Sequence, residues 1–120
     1  MKKTHKWGIL APGKIAEKFA ADLLLAENSV LQAAASRSID KAEKFAKKYK
    51  AASFYGSYEE ITKDPDVEIV YIASPHSFHF EHTMMCLEAG KHVLCEKPLA
   101  LNYRQAKQMA DKAKEKGLFL

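Results

Sequence analysis

Trp7-Gly8-Ile9-Leu10-Ala11-Pro12-Gly13-Lys14-Ile15-Ala16 joins a short apolar run to a breaker and the opening turn of a helix. An apolar run with no polar face, ended by Pro-Gly, fits a strand buried on both faces of a parallel sheet. The helix reads from Lys14 to Glu27, with Ile15, Phe19 and Leu23 and then Ala16, Ala20 and Leu24 at helical spacing, and Asn28-Ser29 stops it. The same alternation continues along the chain. Val30 to Ala35 is a second apolar run. Ser38 is placed to cap a helix whose inner face is Ala42, Phe45, Ala46 and Tyr49. Ala52 to Tyr55 is a weak third strand, and Ser57-x-x-Glu60 reads as a capping box opening a short helix that Asp64-Pro65 closes. Val67 to Ala73 is the strongest strand, apolar on both faces apart from Glu68. Ser77 to Ala89 is helical and ends at Gly90; Lys91 to Cys95 is a fifth strand. Asn102 and Gln105 form a capping-box-like pair before a helix that ends at Gly117, and Leu118-Phe119-Leu120 opens a sixth strand. Strands without polar faces, alternating with amphipathic helices, predict an α/β fold. Right-handed crossovers make it a three-layer, doubly wound parallel sheet, truncated at the start of its sixth strand.

The 120 residues are 48% hydrophobic and 28% charged, which describes one modest domain with its own core and excludes a disordered tail. No apolar run approaches the roughly 20 residues of a membrane helix. The apolar stretch behind Met1-Lys2-Lys3 is only Trp7 to Ala11, too short for an export signal. Cys86 and Cys95 are too few for a disulfide framework and sit in apolar patterns, so they read as buried reduced thiols of a cytoplasmic protein. The net charge of +4 comes from lysines that alternate with glutamates on helix faces, as on a solvated surface. A basic balance suits an anionic small ligand. A nucleic-acid partner would call for a basic stripe with interleaved aromatics, which is missing.

The first strand–helix turn occupies the place of a G-x-G-x-x-G/A dinucleotide fingerprint, with Ala11, Gly13 and Ala16 at its three positions. Gly13 lets a pyrophosphate approach the backbone, Ala16 lets the helix press on the sheet, and the helix N-terminus offers free N–H groups. Pro12 has no N–H and directs Ala11 to extended backbone angles rather than a left-handed turn. Phosphate contacts are therefore expected from the amides of Gly13, Lys14 and Ile15. An acid at the end of the second strand would bind a ribose 2′-hydroxyl and favour NAD; Ser36-Arg37 stands there instead. A hydroxyl and a guanidinium suit a 2′-phosphate, and the guanidinium can stack on adenine, so NADP is favoured over NAD. His76, His79 and His82, three apart, fan too widely on a helix for one metal and read as surface or ligand-edge residues. Glu96-Lys97-Pro98 follows the fifth strand directly. Ligands of an open α/β sheet lie beyond the carboxyl ends of its strands, so Lys97 is placed to reach a cofactor ribose or a substrate oxygen.

These stretches resemble the N-terminal half of the glucose–fructose oxidoreductase / inositol dehydrogenase (Gfo/Idh/MocA) family. Trp7 to Ala16 resembles its opening. Pro75-His76-Ser77-Phe78-His79 resembles its Pro-Asn-x-x-His turn, with His76 where asparagine is usual. Ala89-Gly-Lys-His-Val-Leu-Cys-Glu-Lys-Pro98 is similar to its most diagnostic stretch, and Asn102 also matches. Ala35-Ser-Arg37 and Tyr55-Gly-Ser-Tyr-Glu-Glu60 resemble the NADP-using branch that includes dimeric dihydrodiol dehydrogenases and NADP xylose dehydrogenases. The resemblance implies a Rossmann domain and hydride transfer between a nicotinamide and a sugar, polyol or diol carbon. It implies that Lys97 contacts the nicotinamide ribose and the reacting oxygen, supported by Glu96. Ala11, Pro12, Gly13, Lys14, Ile15, Ser74, Pro75, His76 and His79 would line the cofactor groove, and Ser36 and Arg37 would hold the adenosine end. The family's larger C-terminal domain, which supplies the substrate pocket and the dimer interface, is expected to be absent from residues 1–120, leaving the fragment inactive alone. The alternative is a non-catalytic, dinucleotide-sensing or protein-interaction module. No metal, membrane or nucleic-acid partner is expected, and the full-length protein is expected to be a homo-oligomer.

Overall fold

The structure is a computed structural model that describes residues 4–11, 13–95 and 102–120, with backbone alone at Lys14 and His76. Its elements are β1 (His5–Leu10), α1 (Lys14–Leu25), β2 (Ser29–Ala35), α2 (Ile39–Tyr49), β3 (Ser53–Tyr55), α3 (Tyr58–Thr62), β4 (Ile69–Ile72), a 3₁₀ turn (His76–Phe78), α4 (His79–Glu88), β5 (His92–Cys95) and α5 (Tyr103–Lys116). The strands form one parallel sheet in the order β3-β2-β1-β4-β5. The chain starts at the centre, winds out to β3, then crosses back to lay β4 against β1. That crossing makes the fold doubly wound and leaves a switch point between β1 and β4.

Each face of the sheet has its own core. Ile9, Leu31, Ala34 and Tyr71 meet Ala16, Ala20 and Leu23 of α1 and Phe45 and Tyr49 of α2. Leu10, Val70, Ile72 and Val93 meet Ile61 of α3, Cys86 and Leu87 of α4 and Ala113 of α5. Leu31 and Ala34 share a face although three residues apart. The register against β1 skips Gln32, so Trp7 pairs with Leu31 and Gly8 with Ala33. That one extra residue turns the strand over locally. Gly8 lets α3 close on the sheet, since a Cβ there would stand 2.8 Å from Ile61 Cδ1 and 3.1 Å from Val67 Cγ1.

Several local expectations are corrected. Ile15 and Leu24 are exposed, and the buried stripe of α1 is Ala16, Ala20 and Leu23 with Phe19 half-buried, because only a narrow arc of the helix touches the sheet. Ser57 stands at the N-cap of α3 but makes no side-chain capping bond. Leu118–Leu120 forms no strand. Phe119 accepts one ladder-like bond from Val93 N at 3.0 Å, and its own N–H donates to His92 Nδ1 at 3.0 Å, which draws it off a regular pairing. Cys95 is half-buried, while Cys86 is fully buried and its thiol is pushed up to about 12 by burial. Other readings hold in detail: Ser38 accepts from Lys41 N, Asn102 accepts from Gln105 N, and Gly90 and Gly117 take positive φ at helix ends. Among the described residues, no helix is long and apolar enough to cross a membrane.

A candidate dinucleotide site

A groove of about 740 Å³ opens at the carboxyl ends of β1, β2 and β4, at the switch point. Three segments that follow strands, and one helix, build it. From the turn after β1 come Ala11 and Gly13; from the turn after β2, Ser36, Arg37, Ser38 and Lys41; α3 adds Tyr58; and the segment after β4 adds Ala73, Ser74 and Pro75.

Ala11 N donates to Ala35 O at 2.9 Å, so the β1–β2 ladder runs one residue past the strand, and there the chain turns at φ +64°. The expectation of extended angles at Ala11 is therefore wrong. Reaching α1 within two residues demands a left-handed turn, and this tertiary demand outweighs both the pre-proline bias and the Cβ penalty. Gly13 is the N-cap of α1 at φ −152° and makes no side-chain cap; its carbonyl takes the first helical bond, from Glu17 N at 2.9 Å. The N–H groups of Lys14, Ile15 and Ala16 thus have no acceptor within the helix. A Cβ on Gly13 would meet no protein atom within 4 Å, so its absence leaves space over that positive helix end for a ligand. The Ile15 side chain is exposed and is not part of the lining; Pro12 and the Lys14 side chain lie outside the described residues.

After β2, Ser36 is nearly buried. Its N–H donates to Tyr55 O at 3.1 Å and its Oγ accepts from Ser38 N at 3.2 Å, so its hydroxyl proton remains to be given. Ser38 Oγ accepts in turn from Lys41 N at 3.4 Å. Arg37 and Lys41 are exposed cations, and no carboxylate stands among the described lining residues. Ser38, Lys41 and Tyr58 also line the groove, a role the sequence reading did not assign to them. Lys41 was legible, since it lies one turn inside the helix that Ser38 caps. Tyr58 was not, because α3 reaches the groove only through the packing of the whole sheet.

Beyond β4, Ala73 N donates to Leu10 O at 3.1 Å, carrying the pairing past Ile72. Pro75 O accepts from Phe78 N at 2.9 Å and closes the 3₁₀ turn. His79, 2% exposed, donates from Nε2 to Ser74 O at 2.7 Å. It stands behind the groove wall, which corrects the surface reading: the buried Ser74 carbonyl needs a donor, and the first turn of α4 supplies one. His82 Nδ1 shares a 2.7 Å hydrogen bond with Ser74 Oγ. Burial holds the His82 imidazole below the usual histidine range, against the pull of Glu81. The His76 side chain, Glu96 and Lys97 lie outside the described residues; Cys95, at the end of β5, is the last described residue before them.

The donor set fits a dinucleotide phosphate: unpaired helical N–H groups, two cations, hydroxyls and a position open for lack of a Cβ. Known proteins agree. D-xylose 1-dehydrogenase (NADP(+)) of Hypocrea jecorina is 45% identical over 98% of this chain and 33% of its own length. The mouse trans-1,2-dihydrobenzene-1,2-diol dehydrogenase is 44% identical over 96% of this chain and 35% of its own. The chain therefore spans about a third of the length of these curated relatives. The 3-ketoreductase KijD10 of Actinomadura kijaniata, solved with NADP, superposes with TM-score 0.94 at 32% identity, covering 98% of this chain and 38% of that one. GenD2 of gentamicin A biosynthesis, solved with NAD, superposes with TM-score 0.92 at 25% identity, covering 98% and 34%. The model of the Gfo/Idh/MocA oxidoreductases, NAD-binding Rossmann fold, matches residues 5–120, and the chain belongs to that family.

Proposed function

We propose that the chain is the NADP-binding domain of an oxidoreductase that moves a hydride to or from a sugar, polyol or diol carbon. The observation that carries the cofactor choice is the turn after β2, where Arg37 and Lys41 line the groove and no described lining residue is a carboxylate. A 2′-phosphate would be held there by Arg37, Lys41 and the Ser36 hydroxyl, and the guanidinium would stack on adenine. The amides of Gly13, Lys14 and Ile15 would hold the pyrophosphate, with Ala11 and Pro12 shaping their turn. Ser74, Pro75 and His76 would form the opposite wall, with His79 bracing it from behind. Bound NADP supplies the hydride acceptor, and NADPH the donor. Lys97, outside the described residues, would lend a positive charge to the oxygen of the reacting carbon, with Glu96 supporting it. A second domain would position the substrate and make the oligomer interface, so residues 1–120 alone bind cofactor without turnover. The names of the relatives support the sugar or diol class, and the xylose dehydrogenase and KijD10 support NADP.

Calorimetric titration of NADPH and NADH into the 120-residue chain tests the reading. NADPH is expected to bind more tightly. Arg37→Ala should weaken NADPH about tenfold, the loss of one charge-assisted contact, and leave NADH within about twofold. Equal affinities for the unmutated chain would overturn the NADP assignment.

A further inference from the structure

We propose that His82 is a positioning residue for the groove: its ring, gripped by Phe78 and Tyr58 and bonded through Nδ1 to Ser74 Oγ, fixes the direction in which the Ser74 hydroxyl meets a bound dinucleotide. The inference rests on the reading of the groove as a dinucleotide site. Ser74 lines that groove yet is only 4% exposed, and its carbonyl is already held by His79 Nε2. The hydroxyl is then a rotor whose direction its hydrogen-bond partner sets. A hydroxyl has one proton and two lone pairs. A partner 2.7 Å away claims one of them and directs the rest toward the groove.

The ring that makes this bond is itself held. Phe78 stacks on it with centroids 5.7 Å apart and planes 18° apart, and Tyr58 meets it edge-on at 4.8 Å and 70°. Burial favours the neutral ring, which has one donor and one acceptor nitrogen. The same ring borders a side cavity of about 160 Å³, which shares Arg37, Tyr58 and Pro75 with the main groove. His82 therefore lines the side cavity next to the groove and reaches the groove through Ser74. It sits one turn into α4, set there to hold Ser74.

The test is NADPH affinity, measured by fluorescence titration of the 120-residue chain and its variants, each first checked for fold by circular dichroism. His82→Leu should weaken NADPH about 3- to 10-fold, the range of one hydrogen bond. His82→Asn, whose amide can stand where Nδ1 stands, should bind within about twofold of the unmutated chain. Ser74→Ala should lose about as much as His82→Leu, and the double variant no more than either single one, because both remove the same interaction. If His82→Leu does not fold, His82→Gln, whose amide reaches past the Nδ1 position, takes its place in the same cycle. Losses that multiply in the double variant, or an Asn variant as weak as Leu, would overturn the inference. So would NADPH affinity unchanged in His82→Leu, with the dinucleotide reading left standing. An unmutated chain that binds neither NADPH nor NADH would overturn that reading and this inference with it.

Discussion

Ala11 holds a left-handed turn at φ +64° directly before a proline, where two local preferences oppose it. A left-handed alanine costs roughly 1–2 kcal/mol, while glycine gives back about 0.5–1 kcal/mol through the greater freedom of its unfolded chain. Ala11→Gly should therefore raise stability by up to about 1 kcal/mol, read as a shift of the urea midpoint at constant slope. Two residues on, Gly13 is the opposite case. Its φ of −152° suits any residue and a Cβ there meets no protein atom within 4 Å, so the fold has little need of glycine. Gly13→Ala should cost less than about 1 kcal/mol of stability. NADPH affinity should nevertheless fall about tenfold, because the added methyl occupies ligand space over the helix end. A variant that melts early but binds normally would make Gly13 a structural residue. The residue types of this turn were legible in the sequence; the sign of φ at Ala11 was not, since sheet and helix impose it from outside the turn.

Among the elements, α4 ties chemistry to packing most directly, because its first turn holds Ser74 through His79 and His82. The His82 imidazole titrates below its ordinary 6.5, chiefly through burial, with Glu81 and Glu59 opposing the shift and His79 and Arg37 adding to it. A depressed histidine means that the unfolded chain takes up the proton first. Its contribution to stability is whole above pH 6.5 and is lost as pH falls through the lowered folded value. Stability curves of the unmutated chain and His82→Asn should therefore run parallel above pH 7 and converge or cross on the acid side. Parallel curves down to pH 5 would show that His82 is already solvated in the fold. Element order, and most helix ends, could be read from periodicity and caps, as Ser38 and Asn102 illustrate. What escaped depends on neighbours. The Gln32 bulge exists only in the pairing of β2 with β1, and the exposure of Ile15 and Leu24 follows from how narrow a stripe of α1 the sheet can cover. His79 read as a surface histidine because no sequence pattern reveals the carbonyl it satisfies.

At the scale of the molecule, the doubly wound order decides what a ligand does to stability. The groove draws one wall from β1, β2 and the helices after them, and the other from the segment after β4. These halves are joined through the β1–β4 ladder and through Ala73 N donating to Leu10 O at 3.1 Å. A dinucleotide that spans both walls binds only the folded chain, so it stabilises by mass action, about 2.7 kcal/mol at one hundred times its dissociation constant. For a domain of this size that is a rise in melting temperature of roughly 10 °C. The rise alone would follow from binding anywhere. The geometry asks for more: amide exchange should slow on both walls together, at residues 13–16 and at residues 74 and 76–78. NADH at the same concentration should do less than NADPH, in proportion to its weaker binding. Protection confined to residues 13–16 would mean that the ligand sits on the first helix end alone and leaves the Ser74 wall untouched.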